Sequence, residues 1–366
     1  MDSRWLAAAL SPPRAYGPTL GRGTLRAQPE DFVVEEDLGF AASGTGQHVL
    51  LKVRKRNANT QWVARELAKL CGCHPRDVGY AGLKDRRAVA VQWLTVPKSR
   101  LSLEAWLEVR HPEFDVLEAN AHSRKLPRGA LAGNRFTIQI RDLGASVDEQ
   151  ALASRMAEIS HHGVPNYFGP QRFGHNGSNL AHIPDGLKAL RAPERGFVLS
   201  AARSVIFNAV LAERVRDGSW NRLEAGDIAN LDGRGSIFPV DGTGAATIAQ
   251  AAAIDPTLTA RAVQLDLHPT GPLWGRGTPA TQHRIASLES RVAADFQQAC
   301  ELTAAAGMDQ ERRALRLAVR DLTYTREPDT NSLVISFRLT RGSFATTVLR
   351  ELIDSDASVD EDRDEG

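Results

Sequence analysis

Cysteine is scarce, with only Cys71, Cys73 and Cys300 in 366 residues. Three cannot form an even framework, so disulfides are not expected to hold the fold, and a reducing cytoplasm suits the chain. Cys71 and Cys73 are one residue apart, where zinc knuckles need two to four and a second pair, so no metal site is expected. Long hydrophobic runs are missing as well. The apolar run at residues 5–10 is too short for a signal or membrane segment, so a soluble, cytoplasmic protein with no membrane partner is expected. The glycine-rich turns at 231–235 and 271–275 lack the flanking strand and helix of a phosphate-cradling loop. Net charge is also nearly absent, at +1, but it is unevenly spread. Residues 354–366 carry seven acids against Arg363, leaving +7 on residues 1–353. A basic body permits contact with phosphates. The acidic tail has the composition of a disordered, solubilising segment.

Hydrophobic residues make up 42% and charged residues 24%, the profile of a globular protein long enough for two domains. Residues 1–23 hold prolines and glycines with little periodicity and read as a loosely packed arm. Strands are predicted at 24–36 (broken at Pro29), 47–55, 88–96, 114–121 and 135–141. Lys52, Arg54, Lys55 and Arg56 read either as an RNA-facing edge or as a charged strand end that discourages aggregation. Residues 122–128, HSRKLPR, form a basic loop suited to phosphate. Helical spacing then dominates, at 147–159, 178–190, 199–216 and 281–306, before strands return at 314–324 and 332–339 with a short helix from Ser343. The pattern is α+β with a mostly helical insertion. The expected division is 1–159 with 313–353, an insertion at 160–312, and a tail at 354–366.

The stretch around which these pieces are organised is GYAGLKDRR, residues 79–87. A helix precedes it at 59–70, with Asn59 or Thr60 as N-cap, an apolar face of Val63, Ala64, Leu67, Leu70 and Cys71, and Gly72 as its stop. The loop carries one carboxylate, Asp85, among Lys84, Arg86 and Arg87. Neighbouring cations favour the ionised form and so a nucleophile or base. Charge pattern alone also fits a turn with solvated charges.

A resemblance decides between those readings. Residues 79–92, GYAGLKDRRAVAVQ, resemble the signature of the TruD family of tRNA pseudouridine synthases. Matching motifs follow the family's order: PEDFVVEEDLGF at 29–40, GNRFT at 133–137, NYFGPQRFG at 166–174, LSAARSVIFN at 199–208 and GSFATTVLREL at 342–352. The resemblance implies a pseudouridine-synthase core around a mixed, mainly antiparallel sheet, interrupted by a family-specific insertion. It places the catalytic aspartate at Asp85 and a basic partner at Arg26. It lines the pocket with Phe32, Asn134, Phe136 and Phe344. Phe136 also reads as core filling from its neighbours in the strand. Lys84 is a candidate for phosphate contact or for biasing Asp85. The segment 166–174, with Gln171 and Arg172, reads as a brace between domains.

The implied reaction moves uracil from N1 to C5 attachment at the ribose, and nothing else is transferred.

 It breaks the C1′–N1 bond, turns the base and joins C1′ to C5, so no redox cofactor, metal or phosphate donor is required. The expected substrate is tRNA, at the uridine of position 13 in the D-arm, bound by a monomer that flips the base out at a cost of roughly a few kcal/mol. Two phenylalanines can hold a uracil face while the Asn134 amide meets its edge. The main alternative is a non-catalytic RNA-binding or RNA-folding protein on the same scaffold. An intact aspartate at 85 favours the enzyme. A glycoside-type hydrolase pairing Asp85 with Glu30 lacks a recognisable second carboxylate motif.

Overall fold

The computed structural model describes residues 3–143, 147–243, 253–327 and 331–355. The acidic tail lies almost wholly outside them. Its first residues do not belong to a loose tail: Asp354 and Ser355 continue a strand, Ile353–Ser355, that pairs in parallel with Gly21–Gly23.

The chain forms two compact units. One comprises Thr19–Leu152, Arg320–Gly342 and the residues from Leu352 onward. It is built on an eleven-stranded sheet. The strands that matter below are β1 (Gly21–Leu25), β2 (Phe32–Asp37), β3 (His48–Arg56), β4 (Val89–Pro97), β5 (Phe114–His122), β6 (Gly133–Arg141), β7 (Arg320–Glu327) and β8 (Ser332–Thr340). Their spatial order is β7-β8-β6-β2-β4-β3-β5, with β1 beside β6. Among the described strands of this sheet only β2 with β4, and β1 with Ile353–Ser355, run parallel, so the sheet is mixed and mainly antiparallel as expected.

Alternation decides which side chains reach the functional face. In β2 the even positions Phe32, Val34 and Glu36 are buried, while the odd positions are partly exposed. In β3, Val49, Leu51, Val53 and Lys55 share the buried side. Lys55 therefore does not belong to an exposed basic cluster, because its register places it on the covered face of an interior strand. Lys52, Arg54 and Arg56 are ion-paired with Glu35, Asp115 and Glu30.

The helix Thr60–Cys71 covers that face of the sheet. The Asn59 side chain accepts a hydrogen bond from Gln61 N at 2.8 Å, and Gly72 ends the helix at φ 72° in the left-handed region. Val63, Ala64, Leu67 and Ala68 are buried with Val53, Leu94, Val96 and Trp106. Leu70, expected on this face, is 47% exposed in the last turn.

The turn between β1 and β2 is fixed by a buried carboxylate. Asp31 is fully buried, accepts two hydrogen bonds from Arg141 Nε and one from Arg141 Nη2, and accepts another from Gln28 N. Burial opposes its ionisation, but these donors prevail and hold its pKa below the usual carboxylate range. The ionised form is thus favoured in the folded state. Its contribution to stability is present above the unfolded pKa of about 3.9 and disappears as pH falls through the lower folded value. Asp31→Asn is expected to be less stable than the parent at neutral pH. The gap should narrow below about pH 4 in acid-unfolding curves; a gap constant with pH would refute the assignment.

The other unit comprises Met1–Pro18, Ala153–Val319 and Ser343–Glu351. Its axis is the helix Ala192–Arg216, which is long and apolar enough to cross a membrane but has 67% of its apolar window buried in the protein. Of the arm expected at 1–23 to be loosely packed, the described part begins with a helix, Ser3–Leu10, that buries Trp5, Ala8 and Ala9 in the same core. The insertion also contains a four-stranded sheet of Ile237–Pro239, Ile228–Leu231, Leu267–Leu273 and Glu311–Ala314. Two expected helices are cut short. The one at 178–190 is a single turn, Ser178–Ala181, and the one at 281–306 breaks at Phe296 into His283–Asp295 and Gln297–Ala305.

Candidate active site

The loop 81–88 lies in the sheet-bearing unit between the short strand Gly79–Tyr80 and β4. Gly79 has no room for a side chain. A Cβ there would lie 2.4 Å from Thr95 Oγ1 and 2.7 Å from Leu126 O. The close approach lets Leu126 N donate to Thr95 Oγ1 at 2.8 Å, fastening the basic loop 122–128 to β4.

Three buried side chains hold the loop backbone and its lysine. Thr60 Oγ1 accepts from Lys84 N at 3.1 Å and donates to Gln92 Oε1 at 2.9 Å. Lys55, with no exposed surface, donates to the main-chain carbonyls of Ala58 at 2.7 Å and Asp85 at 2.8 Å, with a longer contact to Lys84 O at 3.4 Å. Glu36 Oε1 lies 2.8 Å from Lys84 Nζ, and Glu36 Oε2 accepts from Trp93 N at 2.9 Å. Lys84 Nζ also donates to Asn134 Oδ1 at 2.8 Å. Lys84 is thus an inward strut that joins the loop to β2 and β6, and its ammonium is not presented to a phosphate.

With its backbone held, Asp85 presents its carboxylate outward, 51% exposed. Arg26 Nη2 donates to Asp85 Oδ2 at 2.6 Å. Arg26 adopts φ 55°, a left-handed conformation that costs a non-glycine residue about 1–2 kcal/mol. Its guanidinium also lies 4.1 Å from the centroid of the Phe32 ring. Phe32 meets Phe136 edge-on at 6.0 Å, and Phe136 meets Phe337 at 5.5 Å. These contacts follow from register, since Val34 and Phe337 both pair with Phe136, while Glu36 sits opposite Asn134. Phe32 and Phe136 are 4% and 6% exposed, so they close the floor beside the carboxylate and do not stand as a parallel, open pair.

The structure therefore brings together Arg26, Phe32, Lys84, Asp85, Asn134 and Phe136. Phe344 belongs to the other unit, where it is 46% exposed ahead of the short helix Ala345–Leu349. Sequence does not single out Glu36 and Phe337, and it places Lys55 only among the charged residues of its strand end. Each shares the strand parity of a residue that was buried or functional, and parity was the available signal. Glu30 and Asp31 have arginine partners of their own in Arg56 and Arg141, so neither is a free second carboxylate for hydrolysis.

Breaking a buried ion pair from one side is costly. Lys84→Met would leave the fully buried Glu36 carboxylate without its cation, and a loss of about 3–5 kcal/mol in urea unfolding is expected. Adding Glu36→Gln should recover part of that loss. No recovery in the double variant would show that the two side chains are not coupled.

An accessible carboxylate, an arginine ion-paired to it and a closed aromatic floor beside them make this the candidate active site. Comparison with known proteins gives the family. The model of tRNA pseudouridine synthase D (TruD) matches residues 19–183 and 178–352, and the chain belongs to that family. It is 43% identical to the tRNA pseudouridine synthase D of Nitrosococcus oceani over 352 residues, covering 94% of this chain and 95% of that protein. The same protein of Methylococcus capsulatus is also 43% identical, with 94% of each chain covered. A crystal structure described as that of a tRNA pseudouridine synthase D (TruD) from Methanosarcina mazei shares the fold, with a TM-score of 0.72 at 20% identity over 96% of this chain and 98% of that one.

Proposed function

We propose that this protein isomerises uridine to pseudouridine in tRNA, at position 13 of the D-arm, with Asp85 as the catalytic residue. The reading rests above all on one observation: an exposed carboxylate, ion-paired to Arg26, on a loop whose backbone is clamped from beneath. Asp85 acts at the ribose of the flipped nucleotide, by attack or by taking a proton. Arg26 orients it and must swing aside or share it when the sugar arrives. The C1′–N1 bond breaks and C1′–C5 forms; N1 gains a proton and C5 loses one, so the change is an isomerisation. Phe32 and Phe136 supply an apolar wall that keeps the detached uracil from water. Asn134, its amide oxygen held by Lys84, has its amide nitrogen available for the edge of the base. We further propose that the protein works as a monomer in the cytoplasm, with no cofactor.

Mapping pseudouridine in tRNA from cells with and without this gene tests the reading. A mark at position 13 that is lost with the gene and restored by the purified protein is expected. An unchanged map would leave the non-catalytic RNA-binding alternative. Phosphate contact adds a second measurement. Arg124, Lys125 and Arg128 are exposed on the loop that Gly79 admits, with Arg128 stacked 3.7 Å from the Tyr80 ring centroid. Replacing all three with glutamine should flatten the slope of log affinity against log salt by about 2–3, as expected for three lost phosphate contacts. An unchanged slope would place the RNA path elsewhere.

A further inference from the structure

We infer that the insertion-bearing unit carries a second phosphate-binding site, built on Arg313 and Arg172 around Phe168, that takes a phosphodiester of the same tRNA; this rests on the function proposed above. The segment 166–174 has the sequence of a brace. In the structure it frames a pair of arginines. Arg313 lies against two aromatic rings, 4.4 Å from the centroid of Phe168 and 5.8 Å from that of Phe207. Its Nη2 donates to Asn166 Oδ1 at 2.7 Å, and Asn166 is itself fixed because its Nδ2 donates to Ala314 O. Arg313 Nε is buried and has no hydrogen-bond acceptor. Arg172 approaches the same Phe168 ring at 5.4 Å and donates to Ser200 Oγ at 3.0 Å.

Among the described residues neither guanidinium has a carboxylate in an ion pair. The neighbouring Arg203 shows the contrast, because it is paired with Glu311 at 3.1 Å. Burial, and then the charge of Arg172, push the pKa of Arg313 down to about 10, which is what two cations without an anion between them produce. A buried charge that lacks a counter-ion is destabilising unless something supplies one. The arginine fork suits phosphate oxygens, and its weak hydration lets it remain on an aromatic face until the anion arrives. Phe168, Asn166 and the Ser200 helix keep both forks in place before binding, so little ordering is left for the complex to do.

The test is tRNA binding by the full chain over a series of salt concentrations. Arg172→Gln is expected to weaken affinity several-fold and to reduce the salt slope by about 0.7–0.9, one phosphate's worth. Ser200→Asp is the second variant: it places a carboxylate where Arg172 now meets a hydroxyl, filling the site from within. It should weaken tRNA binding to a similar extent while leaving the melting temperature equal or higher. Parent affinity and slope in both variants would overturn the inference. So would a rise in the parent's melting temperature with inorganic phosphate, absent in Arg172→Gln, together with unchanged tRNA affinity, which would assign the site to the free ion. Pseudouridine formation by the parent is scored separately. A parent that binds tRNA but converts no uridine sinks the proposed activity, while the slopes still decide this site.

Discussion

Asp85→Asn is expected to leave a folded protein that binds tRNA at least as tightly as the parent and forms no detectable pseudouridine. The substitution changes almost no volume. Its remaining amide oxygen can still accept from Arg26, whose guanidinium also keeps its place over Phe32. What disappears is the negative charge and with it the nucleophile or base. Because the carboxylate is half exposed, its loss costs the fold little. One fewer negative charge near phosphate favours binding. The measurement is a single-turnover assay with protein in excess, so that slow product release cannot mask chemistry. Conversion at a substantial fraction of the parent's rate would falsify the central assignment.

The second large effect is expected at Lys55, which touches no substrate. Lys55→Met keeps the length of the side chain but removes the donor that the carbonyls of Ala58 and Asp85 share. Each buried carbonyl left unsatisfied costs about 1–3 kcal/mol. A looser loop also lets the carboxylate wander, and a misplacement of about 1 Å lowers a rate by roughly 100-fold. The variant should therefore melt earlier and, at a temperature where it is still folded, turn over one to two orders of magnitude more slowly at saturating tRNA. A normal rate in the folded variant would mean that Thr60 and Lys84 position Asp85 without help.

The pairing of Asp85 with Arg26 is legible because Asp85 lies in a motif and the resemblance puts a basic partner just ahead of another, at Arg26. Lys84, a candidate for phosphate contact or for biasing Asp85, instead turns inward to Glu36 and Asn134, because the loop buries its side chain while Asp85 stays exposed. Lys55 was grouped with its charged neighbours although its parity matches Val49, Leu51 and Val53. Strand period, and not charge, decides which way Lys55 points. The break at Phe296 and the packed helix Ser3–Leu10 depend on partners far along the chain, which no local pattern records.

One transverse line of the sheet runs Lys55, Ala90, Val34, Phe136 and Phe337, each paired with the next. Its last member comes from β8, about two hundred residues after the strand it joins. On a ribosome adding roughly 5–20 residues per second, the clamp under Asp85 can form early, while the wall behind Phe136 waits some 10–40 seconds for its final strand. A nascent chain thus passes through a long interval with the Asp85 loop in place and the aromatic floor beside it unfinished. The wall is completed only once β8 has been made, so synthesis of the intervening residues sets that delay.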